Sequence, residues 1–309
     1  MKFGLGVPAL ILYKPVMHPW EPDATPADIV RVARRADERG LEWLVIPEHI
    51  VMPGEMAEIM GPRYPEGLSA AAFLAGATTR VRMLTYILVL PYRNPVMLAK
   101  QIATVDWFSG GRMTLGLGAG HLKREFEILG VPFERRGKLT DEYLRAMKEL
   151  WTADEPSFQG EHVRFENVVF EPRPVQKPHP PLLIGGNSRP AMRRAAALGD
   201  GWLPWLIQLE QLPGALEYIR EQPGFQERDR PFEVVMPLAR LNVEDYSHRE
   251  LGKTEGPRNR EQMIARIGAM RGAGVTGTLV GPGKKTRSVE EYLEWIDWFA
   301  EDVAPLFSE

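Results

Sequence analysis

Short apolar runs alternate along this chain with longer stretches in which apolar residues recur every three or four positions. The first such pair is the run from Lys2 to Val7 and the amphipathic stretch Pro26–Arg39, which Thr25 precedes as an N-cap and Gly40 closes. Short runs rich in β-formers predict strands, and amphipathic stretches predict helices. The predicted strands are Lys2–Val7, Glu42–Ile46, Val81–Val89, Met113–Gly118, Leu182–Ile184, Gly201–Pro204, Phe232–Asn242 and Thr276–Val280.

Helices are predicted between these strands, which gives eight strand–helix units and favours a parallel sheet. Eight units predict an α/β protein with a closed (β/α)8 TIM barrel, and an open doubly wound sheet is the alternative. We expect one domain over residues 1–309, with an insertion at about 119–181 that holds a helix over Lys138–Trp151 and a hairpin around Ser157–Phe170. The other predicted helices are Pro26–Arg39, Leu68–Thr78, Pro95–Trp107, Pro190–Leu198, Leu209–Glu221, Arg260–Ala273 and Val289–Ala300.

Two proline-rich loops are long for an α/β domain, and both follow predicted strands. In a barrel such loops lie at the C-terminal face, where ligands bind. The loop 8–25 contains Tyr13 and Trp20, and the loop 47–67 contains Met52 and two further methionines. We expect these side chains to line the site of an apolar substrate, while packing of the loops on themselves is the alternative interpretation.

Composition narrows the classes of partner. A net charge of −3 gives no reason to expect nucleic acid or an anionic membrane surface as a partner. The absence of cysteine excludes disulfides, thiolate metal sites and cysteine nucleophiles, and it fits a cytoplasmic protein. No window approaches the roughly 20 apolar residues of a membrane helix. The six histidines are scattered without an H-x-x-x-H pair, so we expect no metal site.

Two segments at strand ends carry candidate histidines. Glu48 and His49 directly follow the second strand, where a side chain of a barrel reaches the pocket and an imidazole titrates near neutral pH. A loop histidine bonded to the backbone is the alternative. The segment Gly116–Gly120 closes the fourth strand with glycines that allow a ligand to approach the backbone, and His121 follows it. A simple turn would use the same glycines.

The segment Ile184–Pro190 is a glycine-rich turn that runs from a strand into a helix. Backbone amides and the helix dipole at such a turn form a phosphate site without requiring a lysine. The alternative is a capped helix start, with Asn187 or Ser188 as the N-cap.

Together these stretches resemble the luciferase-like superfamily of flavin- and coenzyme F420-dependent oxidoreductases, and most of all its F420-dependent branch. The resemblance extends to about residue 205 and weakens after it. The matching segments, in chain order, are Gly40–His49, Thr78–Arg82, Pro91–Pro95, Ala99–Gln101, Phe108–Arg112, Glu125–Gly130, Arg136-Gly137 with Asp141-Glu142, Phe170–Gln176, Gly185–Asn187 and Gly199–Trp202.

The resemblance implies that the cofactor ring lies across the C-terminal mouth of the barrel. It also implies a non-proline cis peptide in the third strand, which forms a bulge behind the ring and falls here on Tyr86-Ile87. The glycine-rich turn matches the segment that holds the cofactor phosphate. The implied cofactor-binding residues are Thr85, Tyr86, Ile87, Gly118, Gly120, Gly185, Gly186 and Asn187, and the implied substrate residues are Tyr13, Trp20, Met52 and Trp202.

By the same resemblance, His49 lies near the reactive carbon of the deazaflavin, and His121 stands where several F420 enzymes have a catalytic glutamate. We therefore expect a coenzyme F420-dependent oxidoreductase that transfers a hydride between the deazaflavin and a small apolar organic substrate. His49 would transfer the proton, assisted by His121 or Glu48. The alternatives are an FMN-dependent monooxygenase of the same superfamily and a non-catalytic relative that binds a cofactor or ligand. The family also implies a homodimer.

Overall fold

A computed structural model describes residues 1–228, 230–242, 253–257, 259–283 and 285–308. Its eight barrel strands close into a parallel barrel in which each strand pairs with its two neighbours in chain order, and the first pairs with the last. The predicted (β/α)8 TIM barrel is thereby confirmed, and the open-sheet alternative is excluded. The barrel strands are β1 (Lys2–Gly6), β2 (Trp43–Ile46), β3 (Arg82–Val89), β4 (Met113–Gly118), β5 (Leu182–Gly185), β6 (Gly201–Leu203), β7 (Glu233–Pro237) and β8 (Gly277–Val280).

Helices surround the barrel at nearly all of the predicted positions. Thr25 and Asp28 form a reciprocal capping box that begins α1, so two backbone N–H groups at this helix end are satisfied. The helices are α1 (Pro26–Glu38), α2 (Gly54–Met60), α3 (Gly67–Ala77), α4 (Pro95–Phe108), α5 (Lys123–Ile128), α6 (Arg136–Thr152), α7 (Arg189–Leu198), α8 (Leu212–Arg220), α9 (Pro223–Gln226), α10 (Arg260–Gly272) and α11 (Val289–Trp298).

The structure corrects three sequence predictions. The seventh strand ends at Pro237, and Arg240–Asn242 pairs antiparallel with Lys253–Glu255 outside the barrel instead of extending the strand. The loop 47–67 and the insertion at about 119–181 contain the short helices α2 and α5, whose one or two turns carry too little periodicity to be predicted. The expected hairpin in the insertion reduces to a pair of two-residue strands, Phe158–Gln159 and Arg164–Phe165.

Two apolar layers hold the barrel together. The larger layer packs the outer face of the strands against the helices, and a smaller cluster fills the barrel interior. Trp43 occupies the interior near β8, where a Cβ at Gly277 would stand only 2.7 Å from its ring. The interior is therefore filled by side chains below the C-terminal mouth, and open space is left at the mouth. The interior cluster consists of Trp43, Val45, Leu84, Leu183, Leu203 and Val235.

Candidate active site at the barrel mouth

A bulge in β3 shapes the floor of the barrel mouth. The pairing of β3 with β4 shifts register between Thr85 and Leu88, and the Tyr86–Ile87 peptide bond is cis, as predicted. The Thr85 hydroxyl stabilises the bulge, since it donates to the Gly116 carbonyl at 2.9 Å and accepts from the Gly116 N–H at 3.0 Å. Thr85 is completely buried and supports the bulge from behind, whereas Tyr86 and Ile87 face the open space.

The bulge borders a cavity of about 410 Å³, within the usual range of cofactor and substrate sites. The segments that end β2, β3, β4, β5 and β6 all contribute to it, together with loops that cover the mouth. Its lining includes the residues Ile11, Tyr13, Pro47, Glu48, His49, Ile59, Met60, Tyr64, Tyr86, Ile87, Val89, Tyr92, Gly118, Ala119, Gly120, His121, Arg136, Gly185, Gly186, Ser188, Ala191, Arg194, Leu203 and Trp205.

His49 lies in this cavity with its side chain 12% exposed. Its Nδ1 is 2.8 Å from Oε2 of Glu125, on α5. The ring of Tyr64 stands edge-on to the imidazole at a centroid distance of 4.7 Å, and the ring of His121 lies 6.2 Å away. The structure thus brings the two predicted histidines together, with His49 held by a carboxylate and His121 exposed at the rim.

Glu125 is fully buried and accepts hydrogen bonds from three directions. Its Oε1 accepts from the backbone N–H of Ile50 at 2.6 Å and of Val51 at 3.1 Å, and its Oε2 accepts from the Tyr92 hydroxyl at 2.8 Å. Burial by itself would raise the pKa of Glu125, but the hydrogen bond and charge of His49, with the Val51 and Tyr92 donors, bring it below its ordinary value. The buried carboxyl is therefore ionised and faces the imidazole.

Glu48, the predicted assistant of His49, is held in a different network. Both of its carboxylate oxygens pair with the guanidinium of Arg93, at 2.8 and 2.5 Å, and the N–H of Gly67 donates to it at 3.2 Å. Arg93 also pairs with Glu66 at 2.8 Å. These contacts tie the end of β2 to the start of α3, so Glu48 helps to fix the shape of the mouth.

The turn after β5 has the features of an anion site. Gly186 adopts a φ of +111°, a conformation that glycine tolerates, and Ser188 caps α7 by accepting from the Ala191 N–H at 3.3 Å. Two arginines contribute positive charge to the same cavity. Arg194 bonds Asp141 at 2.5 Å and the Gly137 carbonyl at 3.0 Å, and Arg136 stacks on Phe133.

Two glycines of β4 and its loop leave room beside the bulge. A Cβ at Gly118 would collide with the side chain of Ile87. Gly120 has a φ of +80°, and a Cβ there would lie 2.6 Å from Val89. A larger residue at Gly118 would therefore clash with the bulge, and one at Gly120 would clash with Val89 and Phe126.

Besides Thr85, which lies behind the bulge, four of the predicted ligand residues do not line this cavity as the structure describes it. The Trp20 indole donates to Thr286 and packs on Tyr292, because the loop 8–25 folds against α11. The Trp202 indole is fully buried and donates to the Gly186 carbonyl at 2.8 Å. Met52 lies between His49 and Ile59 in its loop, both of which line the cavity, but does not line it itself. The side-chain amide of Asn187 is hydrogen-bonded to both the N–H and the carbonyl of Trp205. These bonds hold the backbone of Trp205 over the turn. Only Tyr13 among the predicted substrate residues lines the cavity.

Sequence reasoning missed several residues that the fold brings to the site. Glu125 and Arg136 lie in segments that carried the resemblance, but neither segment has a signal that links it to a histidine or a phosphate. Tyr64 and Arg194 lie on elements whose cavity-facing side depends on how the loops and α7 pack. Among the described residues, no group of three or more His, Asp or Glu side chains is placed to bind a metal. In the same part of the chain, we find no helix with the length and apolar character needed to span a bilayer.

The fold and this site define a (β/α)8-barrel protein with a bulged third strand and a ligand cavity at the C-terminal mouth. Residues 1–243 match the family model described as luciferase-like monooxygenase, so the chain belongs to the luciferase-like family of oxidoreductases and monooxygenases. The resemblance inferred from the sequence is thereby confirmed at the level of the family.

Related proteins include an FMNH2-dependent dimethylsulfone monooxygenase from Pseudomonas putida, 34% identical over 158 residues. That match covers 50% of this chain and 43% of the relative, so the chain spans less than half the length of that protein. An uncharacterized protein from Mycobacterium tuberculosis is 32% identical over 220 residues, which cover 66% of this chain and 74% of the relative.

Solved structures show the same fold at low sequence identity. The monooxygenase RslO1 from Streptomyces bottropensis superposes with a TM-score of 0.79 at 22% identity, over 100% of both chains. The coenzyme F420-dependent tetrahydromethanopterin reductase from Methanopyrus kandleri superposes with a TM-score of 0.74 at 17% identity, over 99% of both chains. A monooxygenase and a coenzyme F420-dependent reductase therefore share this barrel.

Proposed function

We propose that this protein is a coenzyme F420-dependent oxidoreductase that transfers a hydride between the deazaflavin and a small, apolar organic substrate. The observation that carries the proposal is the position of His49. Its imidazole lies in a cavity bounded by the β3 bulge and the glycine turn after β5, and a buried carboxylate holds its Nδ1. This arrangement combines a proton-transfer group with space for a flat ring and an anion.

The cavity residues fit such a cofactor. His49 follows β2 and the glycine turn follows β5, and β3 and β4 lie between them in the barrel. Across these two strands the floor is formed by Ile87 and by glycine backbone, which allows close approach of a ring. At the β5 end, Ser188 at the start of α7 and the charges of Arg136 and Arg194 would hold the phosphate.

When bound, the deazaflavin supplies the hydride acceptor or donor of the reaction. His49 accepts and returns the proton. In the oxidation of an alcohol, the substrate loses a hydride from carbon and a proton from its hydroxyl, and Nε2 of His49 accepts that proton. In the reverse reduction the imidazolium returns the proton to the carbonyl oxygen. His121, at the rim and 6.2 Å from His49 between ring centres, would orient the substrate or exchange the proton with solvent.

The cover of the cavity supports an apolar substrate. Ile11 and Tyr13 reach it from the loop after β1, and Ile59, Met60 and Tyr64 reach it from the segment between β2 and α3. The Tyr64 hydroxyl donates to the Met60 carbonyl at 2.7 Å, which leaves mainly its ring to contact a ligand. A wall of this kind favours a substrate whose hydrocarbon part packs against these side chains and whose single oxygen faces His49.

An FMN-dependent monooxygenase is the second candidate. The 34% identity to the FMNH2-dependent dimethylsulfone monooxygenase favours it, since that match is closer than those to the F420-dependent structures. The same bulge and anion turn would accept FMN. A non-catalytic relative that binds a cofactor or ligand is the third candidate, because a fold does not by itself guarantee activity.

Ligand binding separates these candidates. Purified protein is titrated with F420, with oxidised FMN and, anaerobically, with reduced FMN, and fluorescence is followed. Micromolar binding of F420 alone is the expected result; tighter binding of reduced FMN would favour the monooxygenase, and binding of none of them would overturn the oxidoreductase proposal.

The anion site provides a matched pair of variants for the same titration. Arg194→Gln should weaken F420 binding by about 10-fold or more, because it removes a positive charge beside the phosphate. Arg193→Gln, at the exposed neighbouring position on α7, should leave binding within about twofold. A deazaflavin that lacks the phosphate should bind wild type and Arg194→Gln alike; a loss there too would indicate a general disturbance of the site.

A further inference from the structure

Glu125 has four hydrogen-bonding contacts, and in three of them two backbone N–H groups and one hydroxyl donate to its ionised carboxylate. The backbone N–H groups of Ile50 and Val51 and the hydroxyl of Tyr92 all point at its carboxylate, and His49 Nδ1 is the fourth contact. A carboxylate is an acceptor at both oxygens, so it satisfies all four contacts only if Nδ1 of His49 carries a proton. The lowered pKa of Glu125 agrees with its being the acceptor.

The proton on Nδ1 determines which role the other ring nitrogen of His49 can take in the cavity. A neutral imidazole protonated at Nδ1 has its lone pair on Nε2, the ring nitrogen that remains for a ligand. We propose that Glu125 is a positioning residue that fixes His49 in this tautomer and stabilises its imidazolium, so that Nε2 accepts a proton from the substrate and returns it. The inference rests on the proposed function, in which His49 transfers the proton.

The same carboxylate also fixes where the imidazole stands. Its Oε1 holds the two peptide groups that follow His49, at 2.6 and 3.1 Å, while Oε2 holds the ring. The backbone that carries His49 and the ring itself are therefore anchored by one buried side chain of α5. The Tyr92 hydroxyl, from the segment after β3, fixes the carboxylate in turn. Rotation of the imidazole would leave a buried carboxylate without one of its partners, which is costly.

Replacement of Glu125 by glutamine tests the assignment, because an amide keeps the shape but presents an N–H₂ group. With that group facing Nδ1, the imidazole becomes an acceptor there and carries its proton on Nε2. Nitrogen-15 NMR of the imidazole, on protein without cofactor, should show neutral His49 protonated at Nδ1 in the wild type and at Nε2 in Glu125→Gln.

Steady-state kinetics with F420 provides the second readout. For Glu125→Gln, kcat should fall by about 100-fold or more, because the wrong tautomer cannot accept the proton, while KM stays within about threefold. Two controls separate this from general damage. Glu127→Gln makes the same chemical change at an exposed position of α5, and Tyr92→Phe removes one donor but leaves the His49 contact. Both should keep the wild-type NMR pattern.

The outcomes are distinguishable. A wild-type His49 that is neutral and protonated at Nε2 overturns the assignment even if no Glu125 variant folds. A folded Glu125→Gln protein with the wild-type tautomer overturns it as well. If the NMR results are as expected but F420 is neither bound nor turned over, the assignment of Glu125 to the tautomer stands and the proposed function fails.

Discussion

Among the residues that the structure describes, two largely buried histidines each lie close to a buried glutamate, and the two imidazoles differ in the direction of the hydrogen bond at Nδ1. In the barrel mouth, Nδ1 of His49 faces the carboxylate of Glu125 at 2.8 Å. In the loop after β1, Nδ1 of His18 accepts from the backbone N–H of Thr286 at 2.8 Å, and its Nε2 is 3.9 Å from Glu21. The first imidazole donates at Nδ1 and the second accepts there.

This difference is accompanied by opposite charge preferences. Burial, together with the nearby charge of Lys285, lowers the pKa of His18 to about 4, and burial also raises the pKa of Glu21 above its ordinary value, despite two backbone donors. Around Glu125 the donors outweigh burial, so its pKa is lowered. The comparison teaches that burial alone does not make a functional histidine. The pair at the mouth sets an ionised carboxylate against an imidazole that faces the cavity, whereas the pair in the loop holds the chain in place as neutral His18.

The largest expected effect is on catalysis at the mouth. His49→Ala should lower kcat by roughly 10²–10⁴-fold, the range typical of a lost proton-transfer group. His18→Asn, the matched change in the other pair, should keep kcat within about threefold, because that ring lies against Trp20 and Tyr292 and not in the cavity. Steady-state kinetics with the bound cofactor measures both. An equal loss of kcat in the two variants would mean that the two histidines do not differ in function.

The second effect concerns stability beside the active histidine. Glu48→Gln leaves Arg93 buried with only Glu66 as its ion-pair partner, and breaking a buried pair in this way typically costs about 3–5 kcal/mol. We expect a smaller loss, of about 2–3 kcal/mol, because Glu66 remains. Chemical denaturation measures the change, with Glu55→Gln on exposed α2 as the control. A fall in kcat with unchanged stability would instead show that Glu48 takes part in proton transfer.

The smallest effect is a pH dependence of stability at the loop pair. Unfolded His18 takes up a proton near pH 6.5, but folded His18 does so only near pH 4, so the unfolded state binds more protons between these values. The stability that His18 provides is complete above about pH 6.5 and is lost as the pH falls toward 4. Thermal unfolding should show a decrease in Tm of a few degrees between pH 7 and 5.

His18→Gln tests whether this dependence belongs to His18. The variant should show a shallower decrease in Tm over the same pH interval, because its amide does not titrate. An identical slope in the two proteins would mean that other groups cause it, and that His18 is not held neutral as the comparison requires.

Local patterns along the chain were sufficient for the fold. Eight apolar runs and the amphipathic stretches between them predicted a closed barrel, since the periodicity of a strand or helix is visible in consecutive residues. The same patterns placed His49 and the glycine turn at strand ends, and therefore at the mouth. The resemblance added the cis peptide at Tyr86-Ile87, which the structure contains.

The partners of the site residues could not be predicted, because they depend on how distant loops pack. Glu125 is 76 residues from His49 in the chain and reaches it only after α5 folds over the mouth. Trp20 and Met52 sit in the expected loops, but the direction of a loop side chain is not encoded in a local period, and neither lines the cavity. The sequence by itself determined the barrel and the place of His49; only the tertiary structure decided that Glu125 holds its Nδ1, since that contact joins segments with no local relation.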